Sequence, residues 1–262
     1  MKLLFATALL AIAGCNNADQ TGNAKMPGVY KMLSQSVKSA KTDTTYSSLQ
    51  QLKMFTADYM MYANFSPSDS VSSFGIGSYS VNKDTVTENV LYNASDTTKS
   101  DMANSFKLVI EKTSRGYRQV IPDITTQSGD HIKLTEEYET AGTAVTSPLD
   151  GAWKQIKRYS IKGADTTSDK TVQYKMYGGG HFIFGNTWSD STNKNHTGMG
   201  YGTFVMNGNN KSKETVMVST YSTISGQSFD LEIEMIGTDE YKQTITDKDG
   251  TKGVEVYQRM KK

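Results

Sequence analysis

The chain has 262 residues, 28 of them basic and 27 acidic, with a net charge of +1. That length suits one large domain or two of about 100–150 residues. Charge this evenly balanced argues against a nucleic-acid partner, whose binding rests on phosphate neutralisation, and against a polybasic lipid-binding patch.

Reading in chain order, Lys2 forms a positive start and Leu3 to Ile12 a short apolar run. The run is too short to cross a bilayer as a helix and reads as the core of an export signal. Ile12-Ala13-Gly14-Cys15 then resembles the lipobox at which bacterial lipoproteins are cleaved and lipidated on cysteine. The resemblance implies a signal peptide over residues 1–14 and a lipid anchor on Cys15. Residues 15–26 would be a tether reaching at most ~35–40 Å. Loss of the first fourteen residues, whose only charge is Lys2, leaves 27 charges of each sign. Cys15 is the only cysteine, so neither a disulfide framework nor a thiol metal site is available. The expected location is the cell envelope, on the outer membrane or surface rather than the inner membrane, with the bilayer as partner through Cys15.

The rest of the chain reads as two copies of one unit, 27–140 and 149–262, joined by a linker at 141–148. Gly28-Val29-Tyr30-Lys31 matches Gly151-Ala152-Trp153-Lys154, and the stretch from Lys53 to Asn64 aligns without gaps to Lys175 to Asn186. Gly75-Ile76-Gly77 answers Gly200-Tyr201-Gly202, Glu88 answers Glu214, and Tyr117-Arg118-Gln119 answers Tyr241-Lys242-Gln243. Offsets stay between 122 and 126 residues through the series, and such an ordered set points to duplication. Strands are expected in the first copy near 28–37, 49–56, 58–66, 73–81, 85–94, 103–112, 115–121 and 131–140. In the second copy they fall near 152–161, 171–177, 180–188, 198–206, 212–221, 226–236, 239–247 and 252–261. Phe229-Asp230-Leu231-Glu232-Ile233-Glu234-Met235 alternates strictly, the period of a half-buried strand. Asn207-Gly208 and Asp249-Gly250 mark turns. Short connections leave no room for crossover helices, so the expectation is all-β: two tandem eight-stranded antiparallel up-and-down barrels, closed because closure removes free edges.

The order Gly-x-Trp, aromatic strand, Gly-x-Gly-Thr-Phe and a final strand carrying Arg259 resembles the small lipocalin-like domains of bacterial lipoproteins. By that resemblance Gly151, Trp153 and Arg259 form a closing lock, with the guanidinium over the indole, an attraction of about 0.5–2 kcal/mol. The first copy departs from it, with Tyr30 in place of Trp and Thr140 near the Arg position.

Little in the sequence points to catalysis. No Gly-x-Ser-x-Gly elbow occurs, and His131, His181 and His196 lack the spacing of a zinc set. Gly198-Met199-Gly200-Tyr201-Gly202 is flanked by strands, so it reads as a bend or bulge and not as a nucleotide loop. Asp247-Lys248-Asp249-Gly250 reads as a hairpin turn. Glu88 and Glu214 are expected on solvent-facing strand positions. No catalytic residue, metal or cofactor is therefore expected. The leading expectation is a non-enzymatic binding protein taking up a small hydrophobic or amphipathic ligand. Tyr174, Met176, Phe182, Phe184, Phe229 and Leu231 are its expected cavity wall in the second barrel. The alternative is an envelope scaffold or protein-interaction lipoprotein with filled barrels, with Trp188 as a contact residue.

Overall fold

A computed structural model describes residues 25–66, 71–94, 104–125, 129–168 and 171–261. The expected signal peptide and Cys15 lie outside these residues. The first unit comprises β1 (Gly28–Lys38), β2 (Asp43–Tyr46), β3 (Gln50–Phe55), β4 (Tyr59–Ser66), β5 (Val71–Asn82), β6 (Thr85–Asn93), β7 (Asn104–Lys112), β8 (Gly116–Thr125) and β9 (His131–Thr140). The second comprises β10 (Gly151–Lys162), β11 (Asp165–Ser168), β12 (Val172–Gly178), β13 (His181–Ser189), β14 (Asn195–Met206), β15 (Lys211–Ser219), β16 (Ser228–Ile236), β17 (Glu240–Thr246) and β18 (Lys252–Arg259).

From β3 to β9 and from β12 to β18, each strand pairs antiparallel with the next, and β1–β9 and β10–β18 close the two sheets. The short β2 and β11 were not legible as strands, because Asp-Thr-Thr-Tyr and Asp-Thr-Thr-Ser carry no apolar alternation. β2 pairs with Gln35–Lys38 and β3 with Gly28–Lys31, on successive lengths of one partner. Each pair is thus one interrupted stave, and both barrels have eight staves.

Glycine sets the tight places in the second barrel. The inward positions of β14 include Gly198, Gly200 and Gly202. A Cβ on Gly200 would collide with the ring of Phe184, and one on Gly202 with the backbone of Thr215. The β14–β15 register shifts between Tyr201 and Gly202, so the run marks a bulge and a close approach of neighbouring groups.

Among the described residues three apolar clusters form. One fills the first barrel around Met32, Met60, Tyr79, Leu108 and Tyr117, and one fills the second around Trp153, Tyr177, Phe182, Leu231 and Tyr241. The third lies between the barrels. It joins Val29, Met54, Met61, Phe74 and Ile76 to Ala152, Met176, Ile183, Met199 and Tyr201. These two sets occupy equivalent positions of the repeat, so the copies meet through the same face, as in isologous association. Gly185 leaves the space that the Phe74 ring occupies. Around the seam, Tyr92 and Thr187 share a hydrogen bond between their hydroxyls, and the Tyr59 hydroxyl donates to the Lys261 carbonyl at 2.6 Å. The linker binds both sides: the Ala141 amide donates to Val29 O at 2.9 Å, and the Thr143 amide to Gly179 O at 3.0 Å.

Candidate functional site

Along β12 the side chains of Gln173, Lys175 and Tyr177 face the barrel interior, while Tyr174 and Met176 face outward. Met176 lies in the inter-barrel cluster, and Tyr174 packs against it with its ring 4.9 Å from that of Tyr92. This corrects the expected cavity wall for those two residues. Both faces of β12 are buried, so local hydrophobicity does not mark the inner one. Phe182, Phe184, Phe229 and Leu231 do lie on the interior side.

Glu88 and Glu214 are also corrected: they are 4% and 6% exposed, not solvent-facing. Each meets a buried lysine, because a carboxylate inside a barrel is tolerated only when paired. Lys175 Nζ lies 2.8 and 3.0 Å from the two Glu214 oxygens and 3.4 Å from Gln243 Oε1, while the Tyr177 hydroxyl donates to Glu214 at 2.5 Å. In the first barrel Lys53 Nζ lies 2.6 Å from Glu88 and 3.1 Å from Gln119 Oε1. A second acid joins each network: Tyr138 donates to Glu136 at 2.8 Å and Tyr257 to Glu255 at 2.7 Å. Burial foremost, and then the nearby glutamates, push the hydroxyls of Tyr138, Tyr177 and Tyr257 well above the ordinary tyrosine range. The identities Lys53/Lys175, Glu88/Glu214 and Gln119/Gln243 were visible in the repeat, and they were the available signal for this network.

One end of the second barrel is shut. Arg259 lies 4.0 Å from the centroid of the Trp153 ring and donates to Asp150 O at 2.7 Å, Pro148 O at 3.2 Å and Thr238 O at 3.0 Å. Trp153 Nε1 donates to Leu149 O at 2.7 Å. Gly151 has φ 137°, and any Cβ there would strike the guanidinium. In the first barrel Thr140 pairs with Tyr30 as Arg259 does with Trp153, and Tyr30 packs on Tyr117 with centroids 4.8 Å apart.

A cavity of about 350 Å³ occupies the interior of the second barrel, walled by Phe182, Phe184, Val216, Ile224, Phe229 and Ile245 and floored by the Lys175–Glu214 network. The first barrel has a smaller one of about 250 Å³ over Lys53 and Glu88. From the wall of the larger cavity a series of near-parallel rings runs outward. Phe182–Phe184, Phe184–Tyr221, Tyr221–Trp188 and Trp188–His196 have centroid separations of 6.5, 6.4, 6.0 and 5.4 Å. His196 Nε2 is 2.8 Å from Asp190 Oδ2. His131 contacts exposed Asp123 at 2.8 Å, and His181 Nδ1 meets Gly179 O at 3.0 Å. Among the described residues no three His, Cys, Asp or Glu gather as metal ligands, and no helix is long and apolar enough to cross a membrane. Exposed Asp230, Glu232 and Glu234 on β16 give that outer face to water.

These features define a tandem pair of closed antiparallel eight-stranded barrels with buried polar floors. No family model and no curated protein matches the chain. Among solved structures, a redesigned β-barrel is 13% identical, covering 44% of this chain and 93% of its own, with a TM-score of 0.29. A double mutant of transferrin-binding protein B from Haemophilus parasuis is 9% identical, covering 84% of this chain and 63% of its own, with a TM-score of 0.26. A single mutant of the same protein is 9% identical, covering 92% and 77%, with a TM-score of 0.24.

Proposed function

We propose that the chain is a non-catalytic lipoprotein of a bacterial envelope, anchored through Cys15, that engages a protein partner through two fused and largely filled barrels. One observation carries the reading. Stacked rings and Lys–Glu–Tyr networks occupy the interiors, and the apolar seam joins the units into one body. The remaining spaces, about 350 and 250 Å³, sit at or below the small end of ligand pockets, roughly 300–1,000 Å³. A body of this kind offers recognition by its surface rather than by a roomy interior. Cross-linking in the native envelope tests it: a specific protein should be enriched over a Cys15→Ser control, and the control should leave the membrane fraction. Enrichment of no protein would overturn the partner reading.

A second reading is favoured by the larger cavity: uptake of a small amphipathic molecule by the second barrel alone. Native mass spectrometry of protein purified from its own envelope should show a non-covalent adduct that denaturation removes. An unliganded mass throughout would exclude it.

A further inference from the structure

The cavity of the second barrel adjoins a polar outer chamber. Arg158, Asn186 and Tyr221 line both spaces, and Trp188, Asp190 and Asn193 line the outer one alone. The two chambers differ in chemistry. The inner space sets its Phe, Val and Ile walls over a polar floor of Gln173, Lys175, Glu214, Gln243 and Glu255. The outer chamber instead sets amide, guanidinium and carboxylate groups around two near-parallel aromatic rings, with no aliphatic side chain among Trp188, Asp190, Asn193 and their neighbours. The backbone is shaped for these rings: a Cβ at Gly198 would clash with the Tyr221 hydroxyl, which donates to Asn186 Oδ1 at 3.0 Å. Asp190 is fixed by the Thr192 amide at 2.8 Å, the Thr192 hydroxyl at 2.6 Å and the Lys194 amide at 3.0 Å. The outer chamber therefore rests on a built frame.

Resting on the second reading above, we infer that the occupant is a glycoside: a short apolar chain in the inner chamber and a sugar ring on Trp188 and Tyr221. A pyranose has an apolar C–H face and a rim of hydroxyls that both donate and accept. Flat rings beside Asn186, Arg158 and Asp190 match both features. Charge argues against an ionic head. Arg158 lies 3.7 Å from Glu255 and shares the outer chamber with Asp190, so there is no surplus of cation for a phosphate or carboxylate. The first barrel has Gln35 in the place of Arg158 and Ser66 in that of Trp188, which confines the site to the second.

Isothermal titration of the full chain with n-octyl β-glucoside below its micellar concentration, octanoate and methyl β-glucoside tests this. The octyl glucoside should bind at least about tenfold tighter than either fragment. Trp188→Ala should weaken it about five- to tenfold, as expected for loss of one stacked ring, and leave octanoate binding unchanged. Arg158→Gln, which copies the first barrel, should weaken the glucoside selectively as well. Equal affinity for octanoate and octyl glucoside, or indifference to both substitutions, overturns the sugar assignment while the cavity reading stands. No binding of octyl glucoside or octanoate overturns both.

Discussion

Lys175 and Glu214 come from β12 and β15 and meet where almost no water reaches, with side chains 4% and 8% exposed. Desolvating two charges offsets most of their attraction, so the pair adds little net stability but is costly to break, by roughly 3–5 kcal/mol. Lys175→Met should therefore lower unfolding stability by about that amount in urea titration. Adding Glu214→Gln, which keeps an acceptor for Tyr177 without the charge, should restore more than half. Gln155 presents the opposite case: both amide atoms are buried without a hydrogen-bond partner, and the equivalent residue of the first barrel is the core residue Met32. A buried unpaired amide costs about 1–3 kcal/mol, so Gln155→Met should raise the urea midpoint. The buried tyrosines add a pH dependence. Desolvation lifts the hydroxyls of Tyr117, Tyr138, Tyr177, Tyr241 and Tyr257 well above 10. The folded state thus holds protons that the unfolded chain releases near 10. Their contribution is complete below pH 10 and lost as pH rises through the folded values. Tyrosinate absorbance should appear together with unfolding, and early titration of all fifteen tyrosines in native protein would contradict this.

At the scale of strands, β14 shows how one element serves two surfaces. Its glycines face inward and let Phe184 and Tyr221 approach, while Met199 and Tyr201 between them face the seam. The sequence Gly198-Met199-Gly200-Tyr201-Gly202 was readable as a bulge because glycine without a helix-forming context marks close approach. The rings it would admit were not readable, since Tyr221 arrives from a loop beyond β15. Gly202→Ala would force its Cβ against the Thr215 carbonyl. Overpacking of this kind costs about 1–3 kcal/mol; thermal unfolding should register the loss, and an unchanged midpoint would refute the packing argument.

For the molecule as a whole, the seam decides whether the copies behave as one unit. Met61 is fully buried there among Met176, Ile183 and Met199. Met61→Asp places a carboxylate in an apolar contact, a cost of several kcal/mol. Calorimetry should show one transition for the native chain and two for the variant, with increased binding of an apolar dye. A single transition in both would mean that the seam contributes little coupling. That the repeats meet through equivalent faces is consistent with a unit that associated with itself before it was duplicated.

The amino-acid order by itself determined the duplication and the eight main staves of each copy, because alternation, turn residues and repeat spacing are local properties; the pairing of Trp153 with Arg259 came only from the resemblance to lipocalin-like domains. The order also revealed which residues recur, such as Lys53 with Lys175. Only the tertiary structure decided which way β12 faces. A strand with one wet side announces its inner face, but β12 is covered by its own core on one side and by the other barrel on the opposite one. Lys175 could point inward only because Glu214 waits across the barrel, and Met176 could point outward only because a second copy covers it.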